Sequence, residues 1–218
     1  MPGNFMGDEE WLRKLLSPYG VSLGSTQLGQ ILAYLSLLAR WNQHVNLVSA
    51  ASGEVWVRRH FAESLYLSCH MSLEGRMVDI GSGGGFPALP LKIAFPGLSM
   101  TLLEPTGKKR AFLKEVCRVC ELDDVDVRPE RIDKFDPDAR KFSIATCRAV
   151  GHFQELIPRI LEFLDEGGRI FLWVTARQEL DIVSASGDVA WNEPVRIPGT
   201  EHRLIWLGTR KPLQTHKE

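Results

Sequence analysis

The sequence predicts an α/β fold with a doubly wound, mostly parallel sheet of seven strands and a helical extension at the N-terminus. Three observations predict it: residues 1–75 show helical periodicity, apolar strand-like runs alternate with helical segments from Arg76 onward, and a glycine-rich turn follows the first of these runs. Strands that alternate with helices form parallel sheets with right-handed crossovers. We therefore divide the 218 residues into an N-terminal helical extension, 1–75, and a main domain, 76–218.

Three helices are predicted in the extension. A short amphipathic helix covers residues 8–17 and ends before Pro18. A longer helix is capped by Ser25, since apolar residues recur from Leu28 at the spacing of one helical face. Ser52 is placed to cap a third helix, which runs to about residue 69.

The main domain begins with a short buried strand and continues as an alternation of strands and helices. The last two strands are joined by Pro198 and Gly199, so they are expected to form an antiparallel edge. The predicted strands are 77–80, 98–103, 125–127, 142–146, 169–174, 194–197 and 204–208, and the predicted helices are 88–95, 108–122, 152–164 and 176–184.

Composition and charge exclude several classes of protein. The chain is 44% hydrophobic with a formal net charge of −1, which excludes a disordered chain. No apolar run approaches 18 residues and the N-terminal segment is acidic, so we expect a soluble cytoplasmic protein with no membrane segment and no secretory signal. Only residues 76–150 are basic, with 13 Lys and Arg against 11 Asp and Glu, so a nucleic acid would be held by a local patch.

The cysteines do not indicate a metal or redox site. Cys117 and Cys120 form a C-x-x-C pair, but they lie in the second half of a predicted helix, whereas a redox pair is activated at a helix N-terminus. A zinc site would need two further ligands at matching spacing, and none are near in sequence. We interpret the cysteines as packing residues and predict no metal.

The stretch 78–86 reads VDIGSGGGF and lies at the first strand-to-helix turn, where doubly wound sheets bind nucleotides. Gly81, Gly83 and Gly85 allow the backbone to turn sharply and to approach a ligand closely. A dinucleotide fingerprint would have glycine in place of Phe86, and the G-K-[ST] of a phosphate-binding loop is absent.

S-adenosylmethionine (AdoMet) fits this turn better than a phosphate-bearing nucleotide does. Asp79 precedes the first glycine by two residues, where it would repel a diphosphate but attract the cationic end of AdoMet. Glu104 ends the second strand, 23 residues after Gly81, at the position that binds ribose hydroxyls in related sheets. These residues, together with Gly83, predict an AdoMet site.

Further motifs extend over most of the chain, from about residue 28 to residue 211. They are Trp41-Asn42 with Asn46-Leu47, Arg59-His60 with Ser64, the block 79–91, Leu102-Leu103-Glu104 before Gly107-Lys108-Lys109, Cys147-Arg148-Ala149 and His202-Arg203-Leu204. In these motifs the sequence resembles the RsmG family, also called GidB, of bacterial 16S rRNA guanine-N7 methyltransferases. The resemblance implies a Rossmann-like class I methyltransferase fold, AdoMet as cofactor, and 16S rRNA or the small ribosomal subunit as partner. We expect the protein to be a monomer.

The resemblance also implies roles for individual residues. AdoMet contacts are implied at Gly81, Phe86, Pro129, Glu130 and Arg148. Arg148 is in addition the catalytic candidate, because other methyltransferases place residues that contact the target base after the fourth strand; the alternative for Arg148 is a structural salt bridge. The candidates for binding RNA are Asn46, Arg59, His60, Lys108 and Lys109.

The chemistry of the target leaves alternatives open. Guanine N7 has an in-plane lone pair and no proton, so its methylation needs placement against the methyl group and no general base. The D/N-P-P-Y/F tetrad of amino-group methyltransferases is absent, and Cys147 lacks a Pro-Cys motif. The sequence departs from the family pattern at Val48, Glu63 and Val174. A small-molecule methyltransferase and a non-catalytic, AdoMet-binding regulatory module therefore stay open as alternatives.

Overall fold

The fold is built around one mixed sheet with helices on both faces, and the computed structural model describes residues 7–49, 53–136, 141–148, 151–185 and 187–212. The strands are β1 (Arg76–Ile80), β2 (Ser99–Leu103), β3 (Val125–Arg128), β4 (Phe142–Arg148), β5 (Leu164–Thr175), β6 (Val189–Trp191), β7 (Val195–Arg196) and β8 (Arg203–Arg210). They are ordered β3-β2-β1-β4-β5-β8-β6, and β7 also pairs with β8. Strands β1 to β5 are parallel and β8 is antiparallel to β5, which confirms the predicted α/β class.

The prediction of seven strands is wrong by one. Strands β6 and β7 pair with successive parts of β8, with Trp191 opposite Gly208 and Val195 opposite Ile205. The seventh position of the sheet is therefore shared by two short strands. Glycine is required at 208, because a Cβ there would lie 2.6 Å from the Trp191 ring.

The helices of the extension are α1 (Glu9–Leu16), α2 (Ser25–Trp41), α3 (Gly53–Trp56) and α4 (Glu63–Leu65). The first two agree with the prediction, except that the cap of α2 is Gly24, whose N–H donates to the Gln27 side chain (3.0 Å). The predicted third helix is not regular, because a π-helical turn, Val57–Ala62, separates α3 from α4. Its predicted cap, Ser52, lies outside the described residues.

The helices of the main domain are α5 (Ala88–Ala94), α6 (Gly107–Val119), α7 (Phe153–Phe163) and α8 (Glu179–Val183). Helix α6 ends three residues before its predicted end, since the chain turns back at Glu121 with a φ of 51°. Helix α8 covers only part of the predicted 176–184, because its first turn, Ala176–Gln178, is a 3₁₀ turn. Among the described residues, no helix combines the length and the apolar character that crossing a bilayer requires.

The sheet separates two hydrophobic cores, because successive strand residues point to opposite faces. In β1, Met77 packs with the helices of the extension and with α5 and α6, whereas Val78 and Ile80 pack with α7. Asp79 therefore shares the face of Met77, which the extension covers. The extension and the sheet share one core on this side, and the division of the chain at residue 75 stays a prediction.

Candidate functional site

The turn after β1 adopts the conformation that its glycines allow. Gly81, Gly83 and Gly85 all have positive φ angles, of 72°, 54° and 87°. The N–H groups of Gly81 and Ser82 both donate to the carbonyl of Leu103 (2.9 and 3.0 Å), so the turn is held against the end of β2. These left-handed angles are easily adopted only by glycine, which explains the alternating pattern in the sequence.

The glycines of the turn differ in what surrounds them. A Cβ on Gly85 would lie 2.3 Å from the Tyr34 hydroxyl and 2.8 Å from Leu89, so Gly85 is required for packing. A Cβ on Gly83 would meet nothing closer than the carbonyl of Gly81, at 3.7 Å. Gly83 therefore borders open space, as expected of a glycine that a ligand approaches.

Glu104 lies directly across the turn from Gly83. Its carboxylate accepts the Gly83 N–H at 2.8 Å and the Thr106 N–H at 2.7 Å, and the residue is only 4% exposed. Each carboxylate oxygen has a second lone pair, so Glu104 can still accept hydrogen bonds from two hydroxyl groups. The predicted ribose-binding residue is thus fixed in place by the turn itself.

Asp79 is buried in the sheet below the turn. Its Oδ1 accepts a hydrogen bond from the Thr146 hydroxyl (2.7 Å), and its Oδ2 has no hydrogen-bond partner among the described residues. Burial, assisted by the neighbouring Glu104, raises the pKa of Asp79 from 3.8 to about 6, and hydrogen bonding from Ser82 and Thr146 opposes this rise. A buried carboxylate oxygen without a donor fits a cationic ligand such as the amino end of AdoMet.

Asp79 is expected to cost stability at neutral pH. Its folded-state pKa, about 6, lies above the unfolded value of 3.8, so the folded protein binds the proton more tightly and loses stability as pH rises from about 4 to 6. Asp79→Asn is therefore expected to stabilise the protein at pH 7 by roughly 1–3 kcal/mol. Urea unfolding at pH 7 and pH 4.5 measures the effect. The gain should shrink at pH 4.5, and a gain that is equal at both values would show that the charge of Asp79 is not its cause.

An aromatic cluster joins the extension to the turn. Phe86 is 7% exposed and stacks on Tyr34, with ring centroids 5.4 Å apart, and on His60, with centroids 5.0 Å apart; Phe61 contacts it edge-on. The Tyr34 hydroxyl also donates to the carbonyl of Gly84. The ring of Phe86 is thus committed to packing, and only its backbone is left for a cofactor.

His60, on the π-helical turn, does not carry a positive charge at neutral pH. Burial lowers its pKa to about 3, and Arg148, Arg59 and Arg203 lower it as well. A neutral imidazole stacked on Phe86 can contribute a hydrogen bond to a substrate but does not attract phosphate as a cation.

Arg148 belongs to a buried ion network at the end of β4. Its Nη2 donates to Glu63 (2.8 Å) and to the backbone carbonyl of Arg59 (2.6 Å), while Glu63 also pairs with Arg203. The carbonyl of Glu63 accepts the Trp173 indole N–H at 2.9 Å. Burial lowers the pKa of Arg148 to about 10, against the effect of Glu63. Burial raises the pKa of Glu63, against the effect of the guanidinium groups of Arg148 and Arg203. The salt bridge considered for Arg148 is therefore present.

Arg148 nevertheless retains an unused donor, and its backbone lies beside the turn. Cys147 pairs with Ile80 in the β1–β4 register, so Arg148 lies level with Gly81. Its Nη1 is buried and has no hydrogen-bond partner in the part of the chain that the structure describes.

Cys147 itself is buried, and burial raises the pKa of its thiol, which suits a packing residue and not a nucleophile.

Pro129 and Glu130 follow β3 at the same edge of the sheet. The N–H of Glu104 donates to the carbonyl of Arg128 (3.1 Å), which places the pair beside Glu104. Glu130 forms a salt bridge with Arg128 (2.8 Å), whose hydrogen bonds lower the pKa of the carboxyl. The structure thus brings the predicted ribose and adenine positions together.

The remaining RNA-binding candidates lie in the loop that follows α2 and in the first turn of α6. Asn46 is exposed in a loop that packs against Gly84. The carbonyl oxygen of the next residue, Leu47, would lie 3.2 Å from a Cβ placed on Gly84. Lys108 is exposed and Lys109 half-buried in the first turn of α6. The neighbouring Arg110 donates to the carbonyls of Glu104 and Pro105, so it stabilises the loop before α6.

The positions where the sequence departs from the family pattern have structural roles. Glu63 pairs with Arg148 and Arg203, the N–H of Val48 donates to the Asn42 side chain (3.0 Å), and Val174 is buried in β5. In the described part of the chain, no group of three or more His, Cys, Asp or Glu side chains is placed to share a metal ion.

Comparison with known proteins identifies the family. The model of the family described as rRNA small subunit methyltransferase G matches residues 27–202. The chain belongs to this family. Proteins named ribosomal RNA small subunit methyltransferase G from Chloroflexus aggregans and from Leuconostoc mesenteroides are 37% and 35% identical to it, covering 96% and 94% of this chain and 92% of each relative. The resemblance to RsmG is confirmed.

Solved structures support the fold of this methyltransferase G family member. A ribosomal protein L11 methylase from Lactobacillus delbrueckii subsp. bulgaricus has a TM-score of 0.60 at 15% identity, covering 71% of this chain and 80% of that one. A precorrin-6y C5,15-methyltransferase from Geobacter metallireducens has a TM-score of 0.53 at 18% identity, covering 76% and 91%. These similarities confirm the class I methyltransferase fold.

The structure adds residues that sequence reasoning did not assign to the site. Tyr34 was hidden within the apolar face of α2, although a buried tyrosine needs a hydrogen-bond partner. Thr146 of β4 contacts Asp79 of the neighbouring strand β1, and the Trp173 indole of β5 donates to the carbonyl of Glu63 in α4. The alternation of residues along β4 places Thr146 and Arg148 on one face, which was the available signal for Thr146.

Glu104→Ala is expected to weaken AdoMet binding by about 1.5–3 kcal/mol, the scale of lost hydrogen bonds to a charged group. The change also frees the Gly83 and Thr106 N–H groups, which loosens the turn. Isothermal titration with AdoMet measures the loss, with Glu155→Ala, an exposed glutamate on α7, as the control. An unchanged affinity in folded Glu104→Ala protein would place the ribose partner elsewhere.

Proposed function

We propose that this protein is an AdoMet-dependent methyltransferase that methylates N7 of a guanine in 16S rRNA. The observation that carries the proposal is the extent of the family match, residues 27–202, which includes most of the extension and Arg148 as well as the cofactor turn. The sheet alone does not distinguish acceptors, since its structural neighbours are named for ribosomal protein and for precorrin. In this proposal the protein acts in the cytoplasm, as a monomer, on 16S rRNA or the small ribosomal subunit.

The residues of the turn would hold the cofactor by complementary contacts. When bound, AdoMet supplies a methyl group on a cationic sulfur, which N7 takes while the bonding electrons stay on sulfur. Gly81 and Gly83 allow close approach to the backbone, and Glu104 accepts hydrogen bonds from ribose hydroxyls. Asp79 balances the positive charge of the amino end, and Pro129 with Glu130 borders the adenine.

The target base needs orientation and exclusion of water, because N7 has no proton to remove. Arg148 is the candidate for orientation. Its Nη1 is the donor that the ion network leaves unused, and donation to guanine O6 would keep the neighbouring N7 lone pair available. Glu63 and the Arg59 carbonyl hold the guanidinium through Nη2, so the side chain is fixed before the substrate binds.

A transfer assay with labelled AdoMet tests the proposed function. The purified protein is offered small subunits, protein-free 16S rRNA and a small-molecule extract in separate reactions. We expect label in 16S rRNA in at least one RNA reaction and none in the extract. Label only in the extract would favour a small-molecule methyltransferase, and AdoMet binding without any transfer would favour a regulatory module.

Neutralising Lys108 and Lys109 together is expected to weaken RNA binding without changing AdoMet binding. Each lost phosphate contact should lower the slope of log affinity against log salt by roughly 0.7–0.9, so the double Lys→Gln variant should lose about one to two. Salt titrations of RNA binding measure the slope. Lys114→Gln with Arg118→Gln, later on the same helix, is the matched control. A wild-type slope in the Lys108/Lys109 variant would assign these lysines to ordinary solvated surface.

A further inference from the structure

A small cleft lies beside the ion network at the carboxyl ends of β4 and β5. Its volume is about 160 Å³, and three arginines line it, Arg59 from the π-helical turn, Arg148 from β4 and Arg203 from β8. Glu63 is the only acidic side chain among its lining residues in the described chain. The cleft is therefore surrounded by two more positive charges than negative ones.

The three arginines are not equally committed to Glu63. The Nη2 of Arg148 donates to Glu63 and to the Arg59 carbonyl, whereas Arg203 contacts Glu63 through Nη1 alone. Arg59 contributes its backbone carbonyl to this network, and the residue is exposed and lines the cleft. A guanidinium has five N–H donors in a planar fork that matches phosphate oxygens, so Arg59 and Arg203 retain donors that one carboxylate cannot satisfy.

The position of the cleft relates it to the cofactor turn. Arg148 lies level with Gly81 on the strand next to β1, and β5 and β8 follow on the side away from β2. Thr175 ends β5, the strand next to β4, and its partner in the sheet is Arg203 of β8. The cleft thus lies two strand spacings, about 10 Å, from the turn that would hold the methyl group.

We infer that this cleft binds a phosphodiester group of the substrate RNA through the side chains of Arg59 and Arg203, with Glu63 as the positioning residue. Glu63 fixes Arg203 on one oxygen and Arg148 on the other. One carboxylate thereby sets the spacing between a phosphate-binding arginine and the arginine proposed to orient the base. The inference rests on the proposed function and adds to it the site that holds the RNA backbone.

Salt titrations of 16S rRNA binding test the cleft. Arg59→Gln and Arg203→Gln should each lower the slope of log affinity against log salt by roughly 0.7–0.9, with AdoMet affinity within twofold of wild type. Arg203→Lys should recover the slope, since the slope counts charges. Arg118→Gln, an exposed arginine late on α6, is the matched control and should keep the wild-type slope.

Phosphate ethylation interference gives a second measurement. Ethylation of at least one phosphate of 16S rRNA should block binding to wild-type protein but not matter to the Arg59→Gln/Arg203→Gln double variant. The cleft assignment would be overturned if both single variants are folded, as judged by thermal unfolding, and keep the wild-type slope. This result would leave the proposed function standing as long as the wild-type protein methylates rRNA. If wild-type protein neither binds nor methylates rRNA, the proposed function fails instead.

Discussion

Arg148→Ala is expected to reduce methyl transfer to 16S rRNA by a factor of about 100 or more while changing RNA affinity only slightly. The large effect on transfer follows from position, because a misplacement of about 1 Å at a reacting centre can cost about 100-fold. The effect on RNA affinity is small because one guanidinium near the base contributes little to the binding free energy when several phosphates are also contacted. Single-turnover transfer and RNA binding, measured on the same preparation, separate the two.

Two variants distinguish orientation by Arg148 from its contribution to stability. Removing one member of a buried ion pair costs about 3–5 kcal/mol when the partner is left uncompensated, but Arg203 stays paired with Glu63. Arg148→Lys keeps the charge and loses the planar fork, so it should recover stability more than transfer. Full transfer by a folded Arg148→Lys or Arg148→Ala protein would assign Arg148 to the salt bridge alone.

Gly83→Val is expected to abolish AdoMet binding, by at least about 100-fold, and to leave the sheet folded. The valine side chain would enter the open space beside the turn, where the nearest protein atom is 3.7 Å from a Cβ. The φ of 54° adds strain of about 1–2 kcal/mol, which a domain of this size tolerates. Isothermal titration measures binding, and urea unfolding measures the stability.

Gly97→Val is the control for the Gly83 substitution. A Cβ at Gly97 meets nothing within 4 Å, and Gly97 is not among the glycines with positive φ. It should bind AdoMet like wild type. Wild-type affinity in folded Gly83→Val protein would contradict the assignment of this turn to the cofactor.

The parts of the site that follow from local sequence were predictable. The positions of the glycine-rich turn and of Glu104 follow from where strands end and helices begin in a parallel sheet, and short stretches of sequence encode these boundaries. The short strand β6 was missed because three residues are too few for an alternation to be recognised. The π-helical turn interrupts a stretch whose residues are all compatible with an ordinary helix.

The ion network could not be predicted, because its members are distant in sequence. Glu63 is separated from Arg148 by 85 residues and from Arg203 by 140. In the sequence, Glu63 stands out as a departure from the family pattern, and Arg148 and Arg203 belong to two family motifs. No local pattern indicates that the three side chains are in contact. Only the order of β4, β5 and β8 and the packing of the extension on this face bring them together.

Mapping the modified atom in 16S rRNA tests the central claim most directly. After reaction with the purified protein, N7-methylguanosine is cleaved by borohydride and aniline and read as a stop of reverse transcription. The proposed function predicts a new stop at a guanine with wild-type protein and Gly97→Val, none with Gly83→Val, and a stop weakened by about 100-fold or more with Arg148→Ala at equal reaction time. Labelled RNA without any such stop would place the methyl group on another atom, and unlabelled RNA would contradict the assignment of 16S rRNA as the substrate.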